Sequence, residues 1–460
     1  MSEARIEPRV IGAIFATGLL SFSGVIVETA MNITFPTIMH EFSVNTSTVQ
    51  WLTTLYLLIV AAVIPLSAYL KRTFKMRRLF IVANLLFMLG LILDGSAPAF
   101  WVLLLGRAVQ GLGTGIALPL MFNIILEQVP RSRIGAMMGV GTLITGIAPA
   151  IGPTFGGIVT TYLSWRYIFV FLIPILLISL VLGVSCIRQK QPLQPSQLDI
   201  LSVVLLILAF SGLIFGVSEF NSNTISHLFA WTAFIVGVIA LVVFVLRERR
   251  QTQPILDLTP FSRASFSQHV FAFLMFQMMA LGLSFILPNY LQLVNKATAL
   301  QAGLIVLPGA ALGAVLAPIS GRLYDHFGPR RPILIGTTIV FVSMIAFGLF
   351  RMPLSDGQVI GLYVGFMLGI GLAFGNVLTD TLNQLSKQQQ ADGNAIMNTL
   401  QQFAAALGTA IASAIVASGQ KGRPQVAGTM LGSQWALWLL LIFSVIALIM
   451  LGWTLRKQRE

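Results

Sequence analysis

Two stretches decide the fold of this chain: LLLGRAVQGLGTGIALPLMFNIILEQVP (residues 103–130) and GVGTLITGIAPAIGPTFGGIVT (residues 139–160). Each is longer than the stretch of about 20 apolar residues that a helix needs to cross a bilayer. The first contains Arg107, an ionisable side chain that is costly inside a membrane unless it is paired or hydrated. The second is rich in glycine and proline, which remove side-chain bulk and backbone donors from a helix. We therefore expect a polar site at Arg107 and a closely packed, bendable helix in the second stretch.

The composition predicts an integral membrane protein. The chain has 460 residues, of which 56% are hydrophobic and 9% charged, and a mean hydropathy of +0.88. No soluble globular domain has such a surface. The net charge of +13 would suggest a nucleic-acid partner in a soluble protein, but in a membrane protein it indicates basic loops at an anionic inner leaflet, and we predict no such partner.

Neither a metal site nor a cofactor is expected. The single cysteine, Cys186, excludes a disulfide within the chain. The histidines are far apart and do not have metal-ligand spacing: His40, His227, His269 and His326. Because no group of catalytic side chains and no soluble domain is visible, the sequence does not predict an enzyme or a receptor.

Hydropathy predicts fourteen membrane spans. They lie near residues 11–36, 48–70, 79–97, 100–127, 132–161, 166–187, 198–218, 227–246, 265–290, 300–322, 332–350, 358–385, 393–418 and 433–454. An even number places both termini on the same side of the membrane. Most of the 28 lysine and arginine residues fall in segments on that side. The positive-inside rule therefore predicts a multi-pass protein of the cell membrane with both termini in the cytoplasm.

A basic turn occurs twice, which indicates an internal repeat. GRLYDHFGPRRPIL (residues 321–334) follows the tenth span, and SAYLKRTFKMRRLF (residues 67–80) follows the second. Each turn joins the second and third helices of a six-helix set, as in transporters built from parallel repeats. We therefore predict an all-α fold with two six-helix halves, residues 1–190 and 253–460. Residues 191–252 are then an inserted pair of membrane helices.

Several motifs resemble those of the fourteen-helix drug/proton antiporter branch of the major facilitator superfamily, over essentially the whole chain. GRAVQGLGTG (106–115) resembles its R-x-x-x-Q-G-x-G pattern, with Arg107, Gly111 and Gly113 as the secure matches. APAIGPTFGG (148–157) resembles its antiporter signature. In VETAMNITFP (27–36), Glu28 and Asn32 occupy positions where the family has an aspartate and an asparagine.

The turn motif of the family, G-x-x-x-D-x-x-G-x-R, is present only in the second half. There it comprises Gly321, Asp325, Gly328 and Arg330, whereas Lys71 replaces the acid in the first half. The resemblance implies a proton-coupled antiporter that exports small amphipathic or cationic compounds by alternating access. The alternative is an exporter dedicated to one endogenous metabolite or lipid. The expected partners are such a small molecule, protons and the bilayer, and the chain is expected to be a monomer.

The predicted proton-coupling residues are Glu28, Arg107 and Glu127. At 1.5 Å per residue, Glu28 lies about 12 Å and Arg107 about 9 to 12 Å from the outer ends of their spans. Burial favours a neutral carboxyl group and a guanidinium favours a charged one, so alternating exposure could load and release a proton. The alternative is a fixed ion pair. Glu127 lies roughly 30 Å further inward along its helix, where an inner gate or a surface ion pair is the alternative role.

Polar side chains in apolar spans are the candidates for substrate binding: Asn32, Tyr56, Asn123, Gln277, Tyr290, Asn398 and Gln402. For Asn398 and Gln402, which lie one turn apart on one helical face, hydrogen bonds between helices are the alternative role. The candidates for conformational gating are two groups of turn and packing residues: Gly152, Pro153, Gly156 and Gly157 in the fifth span, and Gly321, Asp325, Gly328 and Arg330 after the tenth. Asp94, Asp199 and Glu219 lie at predicted span ends and are expected at the membrane interface. Asp380, near the inner end of the twelfth span, is like Glu127 either a proton-coupling residue or part of an inner gate or a surface ion pair.

Overall fold

The computed structural model describes residues 6–130, 133–190, 192–193, 198–219, 227–251, 254–349, 352–386 and 389–457. Some basic residues used in the prediction of orientation, Arg131, Arg351 and Lys387 among them, lie outside this part. All the regular secondary structure in the described residues is helical.

Fifteen α-helices follow one another: α1 (Pro8–Glu41), α2 (Thr46–Val63), α3 (Ser67–Thr73), α4 (Met76–Gly95), α5 (Phe100–Gln128), α6 (Ile134–Tyr162), α7 (Tyr167–Cys186), α8 (Ile200–Glu219), α9 (His227–Glu248), α10 (Ala264–Leu293), α11 (Ala299–Phe327), α12 (Arg330–Leu349), α13 (Asp356–Asn383), α14 (Gln390–Gln420) and α15 (Gln425–Lys457). Short 3₁₀ turns occupy Ile64–Leu66 and Thr259–Ser262.

The helices form the predicted membrane spans. Within the described residues, 13 helical segments are long and apolar enough to cross a bilayer. One of them is α2 together with the turn at Pro65, and α3 extends it. The remaining crossing is α6, which has 29 residues and contains the predicted fifth span. The predicted all-α membrane fold is therefore confirmed, and the helices are consistent with the predicted fourteen spans.

Both ends of the described chain lie on one face of the bundle, which we call the N face; the opposite face is the far face. Several far-face connections end in side chains that cap the next helix. Oδ1 of Asn45 accepts a hydrogen bond from the backbone N of Thr48 at 2.8 Å. Thr298 and Ser355 begin capping boxes at the starts of α11 and α13. These caps satisfy backbone donors that the start of a helix leaves unpaired.

Helices α1–α7 pack mainly with one another, as do α10–α15, and the two groups meet through α6 against α11 and α2 against α14. The inserted pair, α8 and α9, forms a hairpin whose further contacts are with α14 and α2. Glu219 at the end of α8 is buried and accepts a hydrogen bond from Nε1 of Trp51 on α2 at 3.0 Å. The pair is therefore attached where the two groups meet.

Candidate functional site

Arg107 on α5 is fully buried in a polar cluster. Its Nε donates to the carbonyl oxygen of Leu52 on α2 at 2.9 Å, and its Nη1 donates to Oε1 of Gln110, one turn along α5, at 2.7 Å. Its guanidinium carbon lies 4.2 Å from the centre of the Tyr56 ring, a cation–π contact. Nη2 has no hydrogen-bond partner among the described residues. The arginine is thus held by α2 and α5 while one donor group is left unpaired.

Asp94 brings a carboxyl group to this cluster from the end of α4. Its Oδ2 accepts a hydrogen bond from Nε2 of Gln110 at 2.8 Å, and its charge lies within electrostatic range of Arg107. Asp94 lies at the end of a span, as predicted, but its side chain is fully buried inside the bundle. Side chains on a helix tilt towards its N-terminus, so a carboxyl group at the C-terminal end of α4 points back into the bundle.

Glu28 on α1 is also buried, with 7% of its surface exposed. Its carboxylate has no ion pair within 4.0 Å and no hydrogen bond among the described residues. It lies within electrostatic range of Arg107 and Tyr56. The structure therefore places Glu28 and Arg107 in one polar region without direct contact, and their coupling stays a prediction.

Two glycines let the helices of this cluster approach one another. A Cβ atom on Gly24 of α1 would lie 2.8 Å from Oγ1 of Thr114 and 2.9 Å from the hydroxyl of Tyr56. That hydroxyl donates to Oγ1 of Thr114 at 3.0 Å. A Cβ atom on Gly106 would overlap Oδ1 of Asp94. The glycine of the GRAVQG stretch therefore makes room for the acid that accompanies Arg107.

Asn32 lies one turn beyond Glu28 towards the far face and connects the two helix groups. Its Nδ2 donates to Oγ of Ser284 on α10 at 3.0 Å, and its Oδ1 accepts from Oγ1 of Thr53 on α2 at 3.2 Å. Within the described residues, all hydrogen bonds between α1–α7 and α10–α15 lie in the half of the membrane next to the far face: Asn32–Ser284, Gln292–Ile33, Thr46–Gln420, Ser413–Thr46, Thr54–Thr409, Thr154–Gly303 and Leu300–Thr161. The two groups are thus joined at the far face.

The glycine and proline residues of α6 lie in this junction. A Cβ atom on Gly156 would be 2.6 Å from a backbone carbonyl oxygen of α1, and one on Gly157 would be 2.6 Å from a carbonyl oxygen of α11. Gly152 packs against α1 and Pro153 against α11 in the same way. The close packing expected of this stretch is confirmed. The gating role of these residues stays a prediction.

The predicted substrate-binding residues fall into two sets. Asn32 and Tyr56 belong to the clusters just described. The hydroxyl of Tyr290 accepts a hydrogen bond from the backbone N of Leu354 at 2.7 Å, near the far face. Nδ2 of Asn398 donates to the carbonyl oxygen of Asn394, one turn earlier, at 2.8 Å.

The second set keeps its polar groups unpaired. Gln277 is buried, and Asn123 and Gln402 are half-buried. None of the three forms a hydrogen bond with the described residues. An apolar cavity of about 320 Å³ between the inserted pair and α14, lined by residues such as Trp231 and Ile411, contains none of the predicted substrate-binding residues.

Glu127 lies far from Glu28, near the N-face end of α5. It forms an ion pair with Lys71 on α3. It is 20 positions beyond Arg107 in the sequence, which is about 30 Å along the helix. The structure therefore does not bring Glu127 together with the other two predicted proton-coupling residues.

The second-half turn is open in this structure. Gly328, which ends α11, has a φ of 75°, a backbone conformation that favours glycine. Asp325 is exposed and makes no ion pair with the described residues, and Arg331 lies over the ring of Phe327 at 5.5 Å. A Cβ atom on Gly321 would meet nothing within 4 Å. Within the described residues, Asp325 and Arg330 therefore do not form an ion pair, and the gating role of this turn stays a prediction.

Comparison with known proteins identifies the family. The model of the Major Facilitator Superfamily matches residues 17–409. The chain belongs to the major facilitator superfamily. It is thus a multi-pass membrane protein of a transporter family, as the span pattern predicted.

Two relatives and one solved structure illustrate the similarity of this superfamily member to known proteins. The lincomycin resistance protein LmrB of Bacillus subtilis (strain 168) is 36% identical over 421 residues, which are 91% of this chain and 88% of the relative. The multidrug resistance protein B homolog of Mycobacterium tuberculosis (strain ATCC 25618 / H37Rv) is 28% identical over 87% of this chain and 76% of the relative. A bacterial homolog of the human lysosomal transporter Spinster, solved in an inward-facing, unoccupied conformation, has the same fold, with a TM-score of 0.71, 15% identity and coverage of 98% of both chains.

Sequence reasoning missed the partners of Arg107. Asp94 and Gln110 form its charge and hydrogen-bond network, and Thr114 pairs with Tyr56. One signal was available, because a buried arginine needs a nearby acid. The choice among the acids of the first half depended on which helices touch α5.

Proposed function

We propose that this superfamily member exports small amphipathic or cationic compounds from the cell in exchange for protons. Two relatives named for lincomycin and multidrug resistance support the class of substrate. The buried polar cluster on α1, α2, α4 and α5 supports proton coupling, because ionisable groups inside a membrane are costly and usually functional.

One observation carries the proton-coupling part of the proposal. Glu28 has no ion-pair partner among the described residues, and Nη2 of its neighbour Arg107 has no hydrogen-bond partner there. An arginine stays charged at all physiological pH values, so Glu28 is the group that gains and loses a proton. When Glu28 is protonated, Arg107 is balanced by Asp94 through Gln110. When Glu28 is ionised, its carboxylate can accept a hydrogen bond from the unpaired Nη2 of Arg107, directly or through water.

The junction of the helix groups supports alternating access between residues 1–190 and residues 253–460. Among the described residues, the hydrogen bonds between these halves all lie near the far face. The halves can therefore separate at the N face without breaking any of these bonds. We infer that the structure is inward-facing and that the N face is cytoplasmic. Gly152, Pro153, Gly156 and Gly157 then close the outer side. Gln277, Asn123 and Gln402, with unpaired polar groups, are the strongest candidates for substrate contact.

Transport in liposomes tests the proposal. Purified protein is reconstituted, a pH gradient is imposed, and the movement of a fluorescent cation and of lincomycin is measured. We expect gradient-driven transport by the native chain and its loss in Glu28→Gln, which keeps the size of the side chain but cannot release a proton. Glu7→Gln, an exposed acid at the start of the same helix, is the matched control and is expected to transport normally.

The outcomes separate the parts of the proposal. Coupled transport by Glu28→Gln at the native rate would remove Glu28 as the proton carrier. Transport by the native chain at a rate that does not depend on the pH gradient would exclude proton antiport. Transport of neither probe, by protein that is folded and correctly inserted, would favour the alternative of a single endogenous metabolite.

A further inference from the structure

A buried pair of ionisable side chains lies at the N-face ends of α10 and α13. Nε2 of His269 is 2.9 Å from Oδ2 of Asp380, and the two side chains are 0% and 7% exposed. Oδ1 of Asp380 accepts a hydrogen bond from the hydroxyl of Tyr324 on α11 at 3.1 Å. The cluster therefore joins three helices of the second half, and the function proposed above uses none of its members.

The contacts of the imidazole ring require an extra proton. Nδ1 of His269 is 2.9 Å from the carbonyl oxygen of Ser265, which can only accept a hydrogen bond. A hydrogen is therefore needed on Nδ1. The other nitrogen, Nε2, lies 2.9 Å from Oδ2 of Asp380, although the two are not aligned as a hydrogen bond. Two lone pairs at this distance repel each other, so a hydrogen between these atoms is favoured as well, and a neutral imidazole has only one. A neutral histidine beside an ionised aspartate carries one proton on the pair. The contacts of His269 and Asp380 favour a second proton.

The cluster also contains the partners for the state without that proton. Nε2 of Gln384, a donor, is 3.4 Å from Nδ1 of His269 and 3.4 Å from Oδ2 of Asp380. After loss of the proton, the hydrogen that remains on the ring is on Nε2 and faces Asp380. Nδ1 then accepts from Gln384 in place of donating to Ser265. Polar groups that can face the ring are therefore present for both protonation states.

We infer that His269 and Asp380 form a second proton-binding site, at the N face of the second half and separate from Glu28 and Arg107. Its ligand is a proton taken from the N-face solution, held on both ring nitrogens or on the carboxyl group of Asp380. Because the two residues lie on different helices, binding and release of the proton change the link between α10 and α13.

The first half has a different pair at the matching place. When the double arginines of the two basic turns are aligned, Lys71 matches Tyr324 and, with no change of offset, Glu127 matches Asp380. Lys71 and Glu127 form a lysine–carboxylate ion pair. Histidine is the side chain that ordinarily changes its charge between about pH 5 and 8. At the matching carboxylate, the second half therefore has a tyrosine in place of the lysine, and it adds a histidine where the first half has Ala16.

Other ionisable groups surround this site, mostly in solvent. Arg263 at the start of α10 donates to the carbonyl oxygen of Gln384, and Tyr324 contacts Asp380. The remaining titratable or charged side chains at the N-face ends of helices packed on α10 are exposed or half-buried: Arg9 on α1, Arg322, Asp325 and His326 on α11, Asp392 on α14 and Arg456 on α15. Solvent and salt screen the charges of these groups.

Nuclear magnetic resonance of the histidine rings tests this inference. Protein labelled with ¹⁵N-histidine is placed in liposomes, and the ring nitrogens are followed from about pH 5 to about pH 9. A variant with glutamine at positions 40, 227 and 326 leaves His269 as the only histidine. Infrared spectra of the same samples report protonation of Asp380, by comparison with Asp380→Asn. The protein with His269→Gln, which retains the exposed His326, is the matched control for a solvated ring.

We expect one extra proton on the pair, seen either as two protonated ring nitrogens of His269 or as a protonated Asp380, and its loss as the pH rises. Asp380→Asn should abolish the second ring proton, and Glu28→Gln should leave the His269 signal unchanged. A ring with one protonated nitrogen beside an ionised Asp380 over the whole pH range would overturn the inference. Loss of the signal in Glu28→Gln would overturn the separateness of the two sites. Since the readout is spectroscopic, it is independent of whether the protein exports its substrate by proton exchange.

Discussion

Asp94 offers the sharpest test of the polar cluster around Arg107. Asp94→Asn removes the ionisable carboxyl group but keeps an oxygen that can accept the hydrogen bond from Gln110. Asp94→Leu removes both and leaves a fully buried guanidinium with neutral partners nearby, apart from Glu28. We therefore expect both variants to be less stable than the native chain, with Asp94→Leu the more damaged.

The size of each effect follows from what the substitution leaves unpaired. A hydrogen bond to a charged group contributes about 1.5–3 kcal/mol to the free energy of unfolding, and we expect a loss in this range for Asp94→Asn. Removing one member of a buried charge pair costs about 3–5 kcal/mol, the loss expected for Asp94→Leu. Arg107→Met in the Asp94→Leu background should restore part of the stability, because the buried charge is then gone. The coupling energy between the two positions should be about 0.5–3 kcal/mol.

Reversible unfolding in mixed detergent micelles with increasing dodecyl sulfate measures these free energies, with fluorescence of the 7 tryptophans as the signal. Asp199→Asn is the matched control. Asp199, just before α8, forms an ion pair with Arg247 in the last turn of α9, and this pair is partly exposed, so its removal should have a much smaller effect. Equal losses for Asp94→Asn and Asp199→Asn would refute the assignment of Asp94 as the charge partner of Arg107. Strictly additive losses in the double variant would do the same.

Two further predictions concern pH dependence and the far-face junction. The hydrogen bond from Arg247 holds the pKa of Asp199 at about 2, below its unfolded value of about 4, so this pair stabilises the native chain fully above about pH 4 and loses its effect as the pH falls through about 2. The thermal midpoint should therefore be higher for the native chain than for Arg247→Gln at pH 5, and this difference should vanish towards pH 2. Arg249→Gln, at an exposed position, is the control. A difference that stays constant with pH, or the same pH dependence in Arg249→Gln, would contradict this prediction. Gly157→Leu places side-chain atoms against the backbone of α11, and overpacking of about 1–3 kcal/mol should shift the population towards separated far-face ends by about fivefold to about hundredfold. Spin-label distances across the junction measure this shift, and Gly361→Leu, where a Cβ atom meets nothing within 4 Å, should leave them unchanged.

Much of the fold could be predicted because its determinants are local. Long apolar stretches, basic loops and the paired turns gave the number of spans and the division into halves. The glycines of α6 predicted close packing, since a helix without side-chain bulk can approach its neighbours. The helix ends were less predictable: α1 continues through Pro36 to Glu41, because a proline disturbs only one hydrogen bond near the end of a long helix.

The site was predictable only in part. The position of Arg107 in an apolar span predicted that its charge needs a partner or water. The family resemblance predicted Glu28 as a proton-coupling residue. The proximity of Asp94 to Arg107 could not be predicted, because a residue near the end of a span is expected at the interface. In the structure, the tilt of side chains along the helix and the contact with Gly106 turn its carboxyl group inward.

The sequence by itself determined the membrane fold, the span count and the presence of buried ionisable groups, because the cost of placing polar atoms in a bilayer acts on each segment independently. Only the tertiary structure decided which of these groups meet. His269 and Asp380 lie on different helices far apart in the chain, and their 2.9 Å contact depends on how α10 packs beside α13. Contacts of this kind arise from helix packing, which no short stretch of sequence encodes.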